Sequence, residues 1–190
     1  MYYEDDEGKL IGVLNDYDLS SLANALGPRG NERTGTVPFM ALDLLTERGQ
    51  RGQVEHLYRH DLESFIWVLP WVVLRYRDGK LLTTGRPLDE WATKDALTVC
   101  EKKAYFLQDL ATLVKPPDVD LRIWDLVISC LFVLYEQVHR LAKIRTKQMM
   151  SKTAGKSKES NEEQSELADD VLLREFTTTE AWVELSKLIG

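Results

Sequence analysis

The stretch Tyr58-Arg59-His60-Asp61-Leu62-Glu63-Ser64-Phe65-Ile66-Trp67-Val68-Leu69 constrains the fold more than any other. Leu62, Phe65, Ile66, Leu69, Val72 and Val73 recur at i, i+3, i+4 spacing, which predicts a helical core stripe. Trp67, Val68 and Trp71 make most of the other side apolar as well. A helix apolar nearly all round is buried on most sides, so other elements must pack around it. Asp61 is the expected N-cap, and Glu63 suits the positive end of the helix dipole. Pro70 is expected to kink the helix, or to end it and restart it.

The rest of the chain is large enough to supply that surround. Its 190 residues suffice for one domain of ordinary size, and 44% are hydrophobic. The net charge of −7 argues against nucleic acid or an anionic membrane as the main partner. Cys100 and Cys130 each sit in an apolar helical pattern and read as buried thiols in a reducing compartment. Residues 1–9 are acidic and polar, unlike a secretory signal. The longest apolar run, Leu126 to Tyr135, falls well short of the roughly 20 residues that span a bilayer. A soluble intracellular protein, cytoplasmic or nuclear, is expected.

Periodicity and turn residues divide the chain. Met1-Tyr2-Tyr3 and Lys9 to Asn15 read as two strands of a hairpin, joined by a charged turn that ends in Gly8. Gly27-Pro28-Arg29-Gly30-Asn31 is a loop signal, and Arg33 to Ala41 reads as extended, with Val37 held out of the helical region by Pro38. Leu42 to Glu47 reads as a short helix, and Gly49 to Gly52 as a polar turn. After the central helix, Arg77-Asp78-Gly79-Lys80 is a break. Pro87 to Asp89 can start the next helices, with Leu88, Trp91 and Ala92 on one side. Another runs from Ala96 to Leu113, with Val99, Cys100, Phe106, Leu107 and Leu110 as core. Pro116-Pro117 stops it, and Asp118 or Asp120 can cap a long helix from Leu121 to about Arg145. Its inward residues are expected to be Trp124, Val127, Ile128, Leu131, Leu134, Tyr135 and Val138. Residues 146–165 are rich in Lys, Glu, Ser and Gln and read as a disordered linker or insertion. Residues 166–190 form a last helical segment, with a capping box at Thr177 to Glu180. The expected fold is mostly α with a short N-terminal β-hairpin.

Few residues offer chemistry by themselves. Asp16-Tyr17-Asp18 closes a strand, where a carboxylate can hold a hard cation such as Mg²⁺; two acids opening a loop explain the same pattern. His56 and His60 have the spacing of zinc ligands on a helix, but Leu57 stands where a zinc protease needs Glu. A packed or capping histidine is the commoner case. No Gly-x-Ser-x-Gly elbow, Gly-x-Gly-x-x-Gly loop or Walker A loop is present.

Taken in order, the pieces gain specificity. A strand leads to Asp16-Tyr17-Asp18-Leu19. A loop leads to Arg33-Thr34-Gly35-Thr36 and Phe39-Met40-Ala41-Leu42-Asp43. Tyr58-Arg59-His60-Asp61-Leu62-Glu63-Ser64 then opens a buried helix. This series resembles the C-terminal lobe of a protein kinase, and its variants are similar to the fungal-type protein kinase family. Leu88, Trp91, Lys102-Lys103 and Phe106-Leu107 also look like that family's next helices. The likeness is good over residues 8–113 and loose over 114–145. Asp16-Tyr17-Asp18 stands at the Asp-Phe-Gly position, and Ala41-Leu42-Asp43 at Ala-Pro-Glu, without the proline and with a shorter acid. The resemblance implies ATP-dependent phosphorylation of protein Ser or Thr. Asp16 would hold the Mg²⁺ that bridges the ATP phosphates. Thr34, Gly35 and Thr36 would belong to the activation segment and substrate-docking loop, where a phosphate can order the chain if basic residues face it. Asp43 and Asp61 would be structural anchors, Asp61 for the backbone of a catalytic loop.

The same comparison shows what the sequence lacks. It contains no glycine-rich phosphate loop, no strand lysine and no His-Arg-Asp-x-x-x-x-Asn catalytic loop. Arg59-His60-Asp61 follows Asp16 and opens a helix, so it is not that loop. Residues 1–145 therefore read as a partial kinase-like lobe, truncated before the activation segment. The chain alone is expected to be inactive and to bind no ATP or Mg²⁺ tightly. Asp61 would then be a buried carboxylate short of one partner. The competing reading is a non-catalytic, kinase-like module that binds a partner protein through its helices. An unrelated helical domain explains least, because it gives no reason for the ordered Asp16, Gly35-Thr36 and Asp61 segments.

Overall fold

A computed structural model describes residues 2–4, 8–12, 36–153 and 183. Two units divide the chain, Met1–Thr34 and Gly35–Gly190. In the first, β1 (Tyr2–Glu4) pairs antiparallel with β2 (Leu10–Gly12), in the register Tyr2 opposite Gly12, Tyr3 opposite Ile11 and Glu4 opposite Leu10. The hairpin expected near the N-terminus is present; residues 13–15 of its expected second strand lie outside the described residues.

The second unit is helical. It holds α1 (Leu42–Leu45), α2 (Glu47–Gln50), α3 (Tyr58–Arg75), α4 (Asp89–Thr93), α5 (Ala96–Gln108), a 3₁₀ turn (Leu110–Thr112) and α6 (Leu121–Thr153). The expected single helix at Leu42 to Glu47 is two helices. Thr46 divides them: its hydroxyl donates to the Asp43 carbonyl (2.7 Å) and accepts the Gly49 N–H (3.1 Å), so it ends α1 and caps α2. Gly49 is helical rather than part of a turn, and it must be glycine, since a Cβ there would collide with the carbonyls of Asp43 and Leu44. The break after α3 is a small hairpin, β3 (Tyr76–Arg77) with β4 (Lys80–Leu81). Asp78 and Gly79 both have positive φ, the pair of conformations that a two-residue hairpin turn requires.

The core forms where these helices meet. Trp67, Trp91 and Phe106 pack edge to face, with centroids 5.3 Å apart for the tryptophans and 5.4 Å for Trp91 and Phe106. Met40, Ala41, Leu42, Leu44 and Leu45 join them, with Ile66, Val99, Leu107, Leu126, Val127, Cys130, Leu131 and Leu134. Asp95 caps α5 by accepting the N–H groups of Leu97 and Thr98, and Asp120 rather than Asp118 caps α6. Asp118 instead pairs with Arg77 at 3.0 Å. Helix α6 continues through residues 146–153, where the sequence reads as the start of a linker. Residues 154–165 and the expected C-terminal helix, Val183 apart, lie outside the described residues.

Of the two expectations for Pro70, an end and restart does not occur: α3 runs through it as one helix, with Pro70 buried. The helix departs from its expected packing in two ways. It begins at Tyr58 with Leu57 as N-cap, so Asp61 is not the cap; His60 Nδ1 accepts the Leu57 N–H instead, at 3.1 Å. Its buried face carries Arg59, Leu62, Glu63, Ile66, Trp67, Pro70 and Leu74, whereas Phe65 and Val72 of the expected stripe are exposed. At 100° per residue, the true core face lies about a quarter turn from the one apolar spacing alone suggests.

Candidate functional site: a charged collar around residues 40–43

Residues 36–43 arrive at α3 as a compact turn. The Thr36 carbonyl accepts from the N–H groups of Phe39 (2.8 Å) and Met40 (3.3 Å). Phe39 packs edge to face on Trp71, with centroids 5.5 Å apart, and Pro38 is buried. Thr36 itself is exposed.

Polar side chains from three helices surround the next residues. Ala41 stands at the N-cap of α1 and has no side chain that can cap it. Glu63 does so from α3: its Oε1 accepts the Leu42 N–H at 2.7 Å and the Trp67 indole N–H at 3.0 Å. Lys103, on α5 and fully buried, donates from Nζ to the Met40 carbonyl at 2.7 Å. Its ammonium lies 4.6 Å from the Trp67 ring centroid and 5.4 Å from that of Trp91. The Cys100 thiol donates to the Leu42 carbonyl at 3.6 Å.

On the other side, Asp43 faces Arg59 at 4.0 Å and His60 Nε2 at 3.8 Å, and its carboxylate accepts from Arg145 of α6. Because His60 Nδ1 is an acceptor, the neutral ring carries its proton on Nε2, the nitrogen that faces Asp43.

These surroundings shift the titrations in opposite directions. Burial would raise the Asp43 carboxyl, but hydrogen bonds and charge from His60 and Arg145 outweigh it and hold it well below the ordinary range. Burial lowers His60, against the pull of Asp43. Burial raises Glu63, although Leu42, Trp67 and Lys103 favour its charged form. Burial pulls Lys103 down to about 7, with Glu63 opposing the shift.

Of the residues singled out from sequence, the collar contains Asp43 and lies beside Thr36. Asp16, Thr34 and Gly35 lie outside the described residues. Asp61 is not the buried, partner-poor carboxylate expected. Its side chain is 57% exposed and pairs with His56 at 3.0 Å. The reason is its place on α3, on the same side as exposed Tyr58 and Phe65. The two histidines stack, with centroids 5.7 Å apart, and each already has another role, which fits capping and pairing rather than zinc. Among the described residues no three His, Cys, Asp or Glu side chains converge as a metal site.

The sequence assigns Arg145 no role, and places Glu63 and Lys103 in the kinase-like series without giving either a contact. A signal exists for two of them: Glu63 and Lys103 are charged residues set on otherwise apolar faces, beside Ile66-Trp67 and between Val99 and Leu107. Arg145 carries no such mark, because it lies near the polar end of α6.

The described part of the second unit is thus mostly helical and built on one central helix, with a charged collar gripping the segment that enters it. The sequence model described as fungal protein kinase matches residues 1–73, the part that runs from the N-terminal hairpin to Val73 of α3. The family resemblance read from the motifs holds there. No curated protein and no solved structure matches the chain. No helix among the described residues is long and apolar enough to cross a membrane.

Proposed function

We propose that the chain is the C-lobe part of a fungal-type protein kinase domain whose activity is transfer of the ATP γ-phosphoryl group to Ser or Thr of proteins. The observation that carries this reading is the family match over residues 1–73, which spans Asp16, Thr34 to Thr36, Asp43 and Asp61 in order. The collar agrees with it: Asp43, at the Ala-Pro-Glu position, is tied to α3 and α6, so the turn from Thr36 to Phe39 is held against a rigid support. In this reading Thr36 and its neighbours dock an acceptor polypeptide, and Asp16 is the residue this sequence offers to Mg²⁺-ATP.

The 190-residue polypeptide by itself transfers no phosphate. Phosphoryl transfer is mostly positioning and charge stabilisation, and the sequence holds no catalytic-loop base, no strand lysine and no phosphate-covering loop. Incubation with radiolabelled ATP, Mg²⁺ and casein is expected to give no label above a blank; transfer abolished by Asp16→Asn would overturn this. The family activity has a separate test. Reading the genomic DNA upstream of Met1 should reveal an in-frame His-Arg-Asp-x-x-x-x-Asn, and an in-frame stop directly before Met1 counts against it.

One observation favours a second reading, a non-catalytic module that binds a protein. Tyr58, Phe65 and Val72 lie exposed along one side of α3. A row of large apolar side chains on a helix suits a protein partner. Soluble, cooperative unfolding of the chain alone would favour this reading.

A further inference from the structure

We propose that Glu63 and Lys103 are positioning residues: with Cys100 they clamp the main chain of residues 40–42, so that the docking turn leading into it is set before any polypeptide arrives. This rests on the reading of Thr36 to Asp43 as a polypeptide-docking segment.

The clamp works on backbone groups from two sides. Glu63 of α3 accepts the Leu42 N–H at 2.7 Å, and Lys103 of α5 donates to the Met40 carbonyl at 2.7 Å. Cys100, nearly one turn before Lys103, donates to the Leu42 carbonyl at 3.6 Å. Helix α1 does not pair the Leu42 N–H, because the first N–H groups of a helix have no intrahelical acceptor. The Met40 carbonyl and Leu42 N–H thus receive opposite partners from two different helices, which fixes both the position and the direction of the strand of chain between them.

Stability alone gives no reason for these residue types. Their surroundings are Trp67, Trp91 and neighbouring apolar side chains, where hydrophobic residues of similar volume would pack. Replacing a buried ion pair by such residues is commonly neutral or stabilising. What apolar residues cannot do is supply a directed acceptor for one backbone group and a directed donor for another. The orientation then passes outward through a short, stiff path. Met40 N–H and Phe39 N–H close on the Thr36 carbonyl, Pro38 fixes its own φ, and Phe39 is wedged on Trp71. Thr36, exposed at the far end of this turn, is presented by the clamp although it touches neither charged residue.

Hydrogen–deuterium exchange on the full chain tests this, read at the Leu42 amide and over residues 37–42 beside the global unfolding midpoint. The unmodified chain is expected to protect this segment as well as mid-helix amides of α3. Lys103→Met should speed exchange of 37–42 by roughly tenfold or more, the size expected on losing a buried hydrogen bond to a charged group. Glu63→Gln keeps an acceptor oxygen and should leave Leu42 protected. The double variant E63L/K103M is decisive: a midpoint at or above the original, with 37–42 still exchanging fast, is the positioning signature. A stable double variant that protects 37–42 as the original does overturns the proposal. So does an unprotected Leu42 amide in the unmodified chain, with no variant needed. Casein binding is measured separately on the unmodified chain, by titration calorimetry. No binding by a chain whose clamp behaves as expected overturns the docking reading and leaves the clamp standing.

Discussion

The two sides of α3 invert the usual relation between polarity and burial. On the inner side, Arg59, His60 and Glu63 are buried with Ile66, Trp67 and Pro70. On the outer side, Phe65 is 55% exposed and Tyr58 58%, while Val72 shares the same row. A transfer argument on each residue alone would turn the helix the other way, because exposed apolar area and buried charge are both unfavourable. The orientation holds because the inner polar residues face backbone groups or opposite charge: Glu63 accepts from Leu42 and Trp67, His60 Nδ1 accepts from Leu57, and Arg59 and His60 Nε2 face the Asp43 carboxylate at 4.0 and 3.8 Å. Which face of a helix is its core face is therefore a property of what it packs against, not of its own pattern.

If that account is right, the inner polar residues should be far more sensitive to substitution than the outer apolar ones. The largest effect belongs to Glu63→Leu alone. It removes the acceptor for Leu42 and Trp67 and the carboxylate that favours the charged form of buried Lys103, so unfolding in urea should show a loss of about 3–5 kcal/mol. Asp43→Asn comes next, at about 1.5–3 kcal/mol, because it keeps the shape and removes the charge that Arg59, His60 and Arg145 face. The same variant has a pH signature. The folded Asp43 carboxyl titrates below its ordinary value of 3.8, so its stabilisation is present above that pH and is lost as pH falls through and below it. D43N should flatten that acid limb of the stability curve, measured by circular dichroism between pH 5 and pH 2.

Lys103 should act in the opposite range. Its folded pKa of about 7 lies below the ordinary 10.5, so between these values the unfolded chain binds the extra proton. Its contribution to stability therefore rises with pH, and the difference between the original chain and Lys103→Met should grow in the original's favour from pH 7 to pH 9. A difference that stays constant or shrinks would show that Lys103 keeps its proton in the fold. The smallest effects belong to the outer side. Phe65→Ser and His56→Ala should each change stability by less than about 1 kcal/mol, since one side chain is already largely in water and the other forms an exposed pair. A loss from Phe65→Ser as large as that from Glu63→Leu would break the comparison between the two faces.

Local chemistry made much of the fold readable. Helix α5, the start of α6, the break at Asp78-Gly79 and the N-terminal hairpin follow from caps, turn residues and periodicity, all of which act within a few residues. Most of the expected core of α5 and α6 is where the spacing places it, because their apolar residues recur at helical spacing and face the other helices. The errors lie where a local signal met a distant partner. Asp61 resembles a cap, but α3 starts earlier, with Leu57 at the cap and His60 accepting its N–H, and Asp61 turns to His56.

What the residues determined unaided was the list of elements, their order and the kinase-like series of motifs from the hairpin to α3. Each of these depends on backbone preferences and spacing within one segment. Only the tertiary structure decided which side of α3 faces inward and that residues 40–43 are gripped from α3, α5 and α6. The contacts that do this join Leu42 to Glu63 across 21 positions, Met40 to Lys103 across 63 and Asp43 to Arg145 across 102. No pattern within a helix encodes such separations. A buried carboxylate or lysine becomes favourable only when the fold brings its partner to it, and that pairing exists nowhere but in three dimensions.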